Sequence, residues 1–240
     1  MRVLHQSDLC TLILGDARDP ATRPDGQYDL LCTDPPYGIS YKGAKFPEIQ
    51  GDDGTVNWPT VLNEWVGNGY TRGLKERRHL YIFGYRPDHL AGPLRLGGTS
   101  ELIWNKRRPS PGNLSAPWGA AHEIITFGVH TPSRADRAQG RGALSARLRQ
   151  GSVLTVPPTS TAHRRHPNEK PLDLMTQLIE SSTIRGDLVV DPVAGVGSTL
   201  VAAILTGRRA YGVGIEERYA TIALDRVRRA EEIVRQATTV

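Results

Sequence analysis

The stretch Leu188-Val-Val-Asp191-Pro-Val-Ala-Gly195-Val-Gly197-Ser-Thr199 decides the fold. An apolar run ends in an acid and gives way to a glycine turn. Residues 197–205 then carry a helical pattern that stops at Gly207. Ala210-Tyr-Gly-Val213 is a second strand, and Tyr219 to about Gln236 reads as a long helix with charges on one face. Strand, turn, helix, strand is a βαβ unit, and it predicts a parallel sheet. The glycines let a ligand approach the backbone, and the helix start offers free N–H donors. The spacing differs from G-x-G-x-x-G and no Walker lysine follows, which disfavours a dinucleotide or a nucleoside triphosphate. Glu216 ends the second strand, where an acid can accept hydrogen bonds from both ribose hydroxyls.

A second motif lies far upstream. Tyr28-Asp-Leu-Leu-Cys-Thr33 is a strand that runs into Asp34-Pro35-Pro36-Tyr37. Two prolines cannot continue a ladder or enter a helix interior, so they fix a rigid turn between an acid and an aromatic ring. Open α/β sheets place ligand sites at that end of a strand. Thr11–Leu14, Leu80–Phe83, Glu101–Trp104 and Glu123–Phe127 are further strand candidates. Val61, Leu62, Trp65 and Val66 give helical periodicity over Trp58–Gly73, and Leu172–Ile184 forms an amphipathic helix after Pro171. Residues 38–54 form a long polar loop, a type that is uncommon unless functional.

Residues 129–165 change character. Arg134, Arg137, Arg141, Arg147, Arg149, Arg164 and Arg165 stand against one acid, Asp136, and large apolar residues are sparse. Such a segment buries little core and faces a partner. The whole chain of 240 residues carries a formal net charge of +5, mostly from arginine, which suits phosphate and guanine contacts. Two cysteines, Cys10 and Cys32, cannot make a disulfide framework and indicate a reducing compartment. No apolar stretch approaches membrane-spanning length and no signal-peptide core opens the chain, so a cytoplasmic location without membrane contact is expected.

In order, the chain shows DPPY at 34–37, LYIFG at 80–84, IWNK at 103–106, HE at 122–123, HPNEKP at 166–171, DPVAGVGST at 191–199 and GIE at 214–216. This succession resembles the DNA amino-methyltransferases, which methylate adenine N6 or cytosine N4 with S-adenosylmethionine. With the DPPY half first, it resembles their circularly permuted β class, over about Thr11 to Tyr219. The resemblance implies a Rossmann-like α/β fold, a mostly parallel twisted sheet flanked by helices. It further implies a single methyltransferase domain over 1–240, with a short basic target-recognition insertion at about 129–165. Double-stranded DNA is the partner so implied, and a homodimer and a cognate restriction enzyme are compatible with it.

Site roles follow from the matching positions. The resemblance implies that Asp34 and the Pro35 carbonyl accept hydrogen bonds from the target amine, with Pro36 stiffening the turn and Tyr37 stacking on a flipped base. Asp16 with Ala17 would read the cofactor adenine, and Glu216 its ribose. Asp191, Pro192, Val193, Ala194, Gly195, Gly197, Ser198 and Thr199, together with Asp34, Asn168, Lys170 and Pro171, would line the rest of the cofactor site. Lys42 and Lys45 in the loop, and the seven arginines above, would contact DNA. Val193 stands where the family usually has phenylalanine, which makes one pocket wall smaller. The acid at 34 leans toward adenine, since cytosine enzymes of this family more often carry serine there. Cytosine N4 methylation and a non-catalytic DNA-binding protein of the same fold are the alternatives.

Overall fold

The computed structural model describes residues 1–38, 52–107, 117–135, 150–160 and 169–238. In chain order its strands are β1 (Arg2–Gln6), β2 (Cys10–Leu14), β3 (Gln27–Thr33), β4 (Gly73–Phe83), β5 (Leu96–Asn105), β6 (His122–His130), β7 (Val153–Thr155), β8 (Leu188–Asp191) and β9 (Arg209–Gly214). The helices are α1 (Trp58–Val66), α2 (Pro87–Leu90), α3 (Leu172–Ser182), α4 (Ser198–Leu205) and α5 (Glu217–Thr238). Among the described residues the strands join in one sheet, ordered β1-β2-β9-β8-β3-β4-β6-β5-β7. The five strands β2, β9, β8, β3 and β4 are parallel to one another, as the βαβ pattern predicts. Only β1 and β6 run against their neighbours. None of the described helices is long and apolar enough to cross a membrane.

Side chains alternate along each strand, so β2, β3, β4, β8 and β9 each feed two cores. Leu12, Leu30, Cys32, Tyr81 and Phe83 pack on one face with Leu174 and Leu178 of α3, Leu200 and Ile204 of α4, and Val227 of α5. Ile13, Leu31, Leu80 and Ile82 pack on the other with Leu62 and Trp65 of α1 and Leu90 of α2. Helix α4 is apolar nearly all round because it lies between the sheet and both α3 and α5. Tying the layers, Tyr28 Oη donates to the Trp65 carbonyl at 2.8 Å, and Trp65 Nε1 to the Ala17 carbonyl at 2.8 Å.

Three elements differ from the sequence pattern. The helix expected over Trp58–Gly73 stops at Val66, because Gly67 and Gly69 take φ of +67° and +74° and the Asn68 side chain accepts from Tyr70 and Thr71 N–H groups. Strand β4 begins at Gly73, seven residues before Leu80. Its charged first half is masked in a hydropathy pattern but is paired in space, with Lys75 Nζ 2.6 Å from Asp29 and Arg78 3.3 Å from Asp187. The composition of 129–165 predicts little buried core, and its described residues 150–160 do more: β7 pairs with β5, Leu154 and Val156 are buried, and Trp104 Nε1 donates to the Val156 carbonyl at 2.8 Å. The arginines around it dilute that short apolar signal.

Gly73 marks the tightest point under α1. Its φ is +92°, and a Cβ there would lie 2.2 Å from the Val66 carbonyl oxygen. Gly186 has a similar φ of +85° with nothing within 4 Å of a Cβ. Gly186→Ala should therefore cost only the left-handed backbone, about 1–2 kcal/mol. Gly73→Ala should cost about 3 kcal/mol or more, on the order of 6–12 °C in Tm for a domain of this size. Paired thermal melts check this, and equal shifts would refute the packing argument.

Candidate functional site

The chain order reverses between β8 and β3. From β8 the chain crosses through α4 to β9 on one side, and from β3 it passes through α1 to β4 on the other. The carboxyl ends of these two strands open a crevice, the position where open α/β sheets bind ligands. Asp191 ends β8 and Asp34 follows β3. The cleft between them holds about 1110 Å³ of space, open mouth included, and runs from Asp16 and Glu216 past Gly195 to Asp34 and Lys170.

Asp191 is buried and joins three elements. It accepts from Thr33 Oγ1 at 2.7 Å, from Thr199 Oγ1 at 2.6 Å and from the Val193 N–H at 3.0 Å. Burial pushes its carboxyl up to about 6, against those three hydrogen bonds. Next to it the backbone turns through Gly195 (φ +50°) and Gly197 (φ +77°) into α4. A Cβ at Gly195 would meet nothing within 4 Å, so the turn is bordered by open space. At Gly197 a Cβ would lie 3.1 Å from Ala223, which holds α4 close to α5.

At the far end, two acids are held by the arginine two residues on. Asp16 receives Arg18 Nε at 2.9 Å and Nη2 at 2.5 Å, and the Arg18 hydrogen bonds lower its pKa. Glu216 receives Arg218 Nε at 2.8 Å and Nη2 at 2.5 Å. Sequence reasoning passed over both arginines, although the repeated acid-x-Arg spacing was there to read. It passed over Val56 and Trp58 too, which line the cleft beside the small Val193.

At the near end, Asp34 is pinned from both sides. Tyr37 Oη donates to its Oδ1, and Lys170 Nζ lies 2.7 Å from its Oδ2. Burial raises the Asp34 pKa, the Lys170 ammonium opposes this, and the Glu123 carboxylate adds to it. The turn is held by Tyr85, whose hydroxyl donates to the Pro36 carbonyl at 3.0 Å. Gly84 makes room for Tyr37, since a Cβ there would fall 2.0 Å from the ring. Gly38 and Gly54 then meet, with the Gly38 N–H donating to Asp52 at 2.8 Å.

Of the expected residues, Asp16, Ala17, Asp34, Pro36, Lys170, Asp191, Pro192, Val193, Ala194, Gly195, Ser198, Thr199 and Glu216 border the one cleft. Gly197 and Pro171 stand behind it as the residues that start α4 and α3. Asn168, Lys42, Lys45, Arg137, Arg141, Arg147, Arg149, Arg164 and Arg165 lie outside the described residues, and Arg134 is exposed. A pair of acids at one end, an open glycine turn at a helix start and a buried acid beside it fit a nucleoside with a charged amino-acid tail.

Residues 28–225 match the family model for the N6/N4 DNA methylases. The chain belongs to that family. YubD of Escherichia coli (strain K12) is 31% identical over 229 residues, covering 93% of this chain and 92% of that protein. The type II methyltransferase M.HinfI of Haemophilus influenzae is 26% identical over 250 residues, covering 92% and 68%. The crystal structure of the M1.HpyAVI–SAM complex superposes with a TM-score of 0.64 at 20% identity, covering 91% of this chain and 99% of that one. The chain is thus an α/β DNA methyltransferase of the N6/N4 family, and S-adenosylmethionine is its cofactor.

The buried Asp191 has a consequence for stability. Between about pH 4 and 6 the folded chain keeps a proton that the unfolded chain has released, so this group's contribution falls as pH rises through that window. Asp191→Asn removes the term, and the threonine hydroxyls can rotate to suit the amide. The variant should gain on the order of 2–3 kcal/mol relative to the parent on going from about pH 4 to about pH 8. Thermal unfolding at the two pH values measures this, and a parallel pH response of the two proteins would contradict it.

Proposed function

We propose that the enzyme methylates the exocyclic N6 of adenine in double-stranded DNA, with the target base extruded from the duplex. The observation that carries this is Asp34, a carboxylate at the rim of the cleft with Tyr37 and Lys170 fixing its two oxygens. An adenine N6 lone pair is delocalised into the ring and is a poor nucleophile. Acceptors on both of its N–H bonds favour a tetrahedral nitrogen with a localised lone pair. Asp34 and the Pro35 carbonyl, presented by one rigid turn, would supply them. The carboxylate then faces the positive charge that develops on nitrogen.

Bound in the cleft, S-adenosylmethionine supplies an electrophilic sulfonium methyl. Asp16 and Glu216 would hold its adenosine, and Asp191 with the Gly195–Thr199 turn would hold the methionine end. The protein's remaining task is geometry, and holding two reactants in line is worth roughly 7–11 kcal/mol. The target nitrogen cannot be reached within the duplex, so the base must leave the stack. Stacking on Tyr37 would return about 1–3 kcal/mol of that cost. The basic segment 129–165, with Arg134 at its described start, would read or grip the DNA. An acid at 34, where cytosine enzymes more often carry serine, favours adenine over cytosine N4.

Expression in a methylation-free host followed by modification mapping tests the proposal. N6-methyladenine should appear at one recurrent sequence, and Asp34→Ala should lower it by 100-fold or more, on the order of 3 kcal/mol of transition-state stabilisation. N4-methylcytosine instead would overturn the adenine reading, and no modification would overturn the catalytic one.

A further inference from the structure

Asp34 is one end of a line of alternating charges. Its Oδ2 lies 2.7 Å from Lys170 Nζ. Lys170 Nζ lies 3.0 Å from Glu123 Oε2, and Glu123 Oε1 lies 2.5 Å from Lys106 Nζ. The four side chains come from four places: after β3, before α3, within β6 and after β5. The ammonium of Lys170 sits 4.9 Å from the Phe83 ring centre and 5.8 Å from that of Trp104. Lys106 lies over the other end of the line, 4.9 Å from Trp104.

Lys170 is only 5% exposed. A buried ion line is a poor source of stability, since apolar side chains of the same volume commonly do as well or better. Its value must lie in what it presents. The line opens into the reaction cleft at Asp34 and closes against the Trp104 ring at the other end. Two carboxylates and two ammoniums cancel, so Lys170 can be held beside Asp34 without leaving a net buried charge.

We propose that Lys170, held by Glu123 and Lys106, is a positioning residue that fixes both the charge and the aim of Asp34 during methyl transfer. This rests on the reading that Asp34 grips the target amine. The groups facing Asp34 are Tyr37 of its own turn, Cys32 of β3, Tyr85 beyond β4, Glu123 of β6, Asp191 of β8 and Lys170. Lys170 is the cation among them. Burial works against its charge, but Asp34 and Glu123 outweigh burial and raise its pKa. Burial likewise works against the charge of Glu123, and Lys170 and Lys106 outweigh it and lower that pKa.

The signs are opposite for the two neighbours of Asp34. Lys170→Met leaves Asp34 buried beside Glu123 without a cation, which raises the pKa of Asp34 and moves the acid limb of the rate profile to higher pH. Glu123→Gln removes a like charge and moves that limb to lower pH. The double variant should fall between them. Single-turnover methyl transfer from labelled S-adenosylmethionine to genomic DNA from a methylation-free host, followed across pH, reads all three. A shift of about one unit or more is expected for Lys170→Met. A uniform loss of rate with the limb unmoved in both single variants would overturn the proposal, because a merely structural role predicts it. Should Lys170→Met fail to fold, Glu123→Gln decides alone by whether its limb moves. Asp34→Ala, which removes the acceptor altogether, separates the two readings: if it retains the parental rate, the amine-gripping reading fails, whereas an inactive Asp34→Ala with unmoved limbs in the other variants sinks only the positioning role.

Discussion

The site depends on one buried carboxylate at the reversal of the sheet. Asp191 takes hydrogen bonds from Thr33 on the neighbouring strand, from Thr199 in the first turn of α4 and from the backbone of its own turn. Those contacts lock the end of β8 to the end of β3. The glycine turn and the DPPY turn therefore cannot shift independently. Burial opposes the charge that makes Asp191 a strong acceptor, so the same residue that joins the two halves also weakens the fold near neutral pH. Such strain at a functional crevice is what a scaffold pays to hold two reactants in fixed register.

Much of the frame was legible in the residues. The strand–turn–helix–strand pattern from Leu188 to Val213 and the apolar run into Asp34 lie where short-range periodicity is strong, and the parallel core follows from them. The misses have physical reasons. Lys75 and Arg78 hide the first half of β4 because their pairing with Asp29 and Asp187 is long-range. Gly67 and Gly69 end α1 while the apolar spacing still suggests a helix. Strand β7 is three residues long within a polar stretch, and only its partner β5 gives it meaning.

The cleft was legible in part. Asp16, Asp34, Asp191 and Glu216 stand at strand ends, which a pattern can find. Lys106 and Glu123 sit in the strand region IWNK and HE, with nothing local to mark them as members of the charge line that ends at Asp34. Their meaning comes from β6 lying between β4 and β5, which brings a carboxylate against Lys170 from 47 positions away. Arg18 and Arg218 are a different case. Each is two residues from its acid, and each keeps that acid's aim before any ligand arrives.

The meeting of Gly38 with Gly54 carries a consequence for how this scaffold can vary. The chain leaves the DPPY turn and returns toward α1 through one stitched point, with Asp52 closing it. A loop with clamped ends can lengthen or shorten with little effect on what lies below, since closure entropy grows only slowly with length. Insertions, deletions or a transplanted segment between those two glycines would leave the DPPY turn in its place. That makes the stretch a site for modular change, separate from the chemistry beneath it.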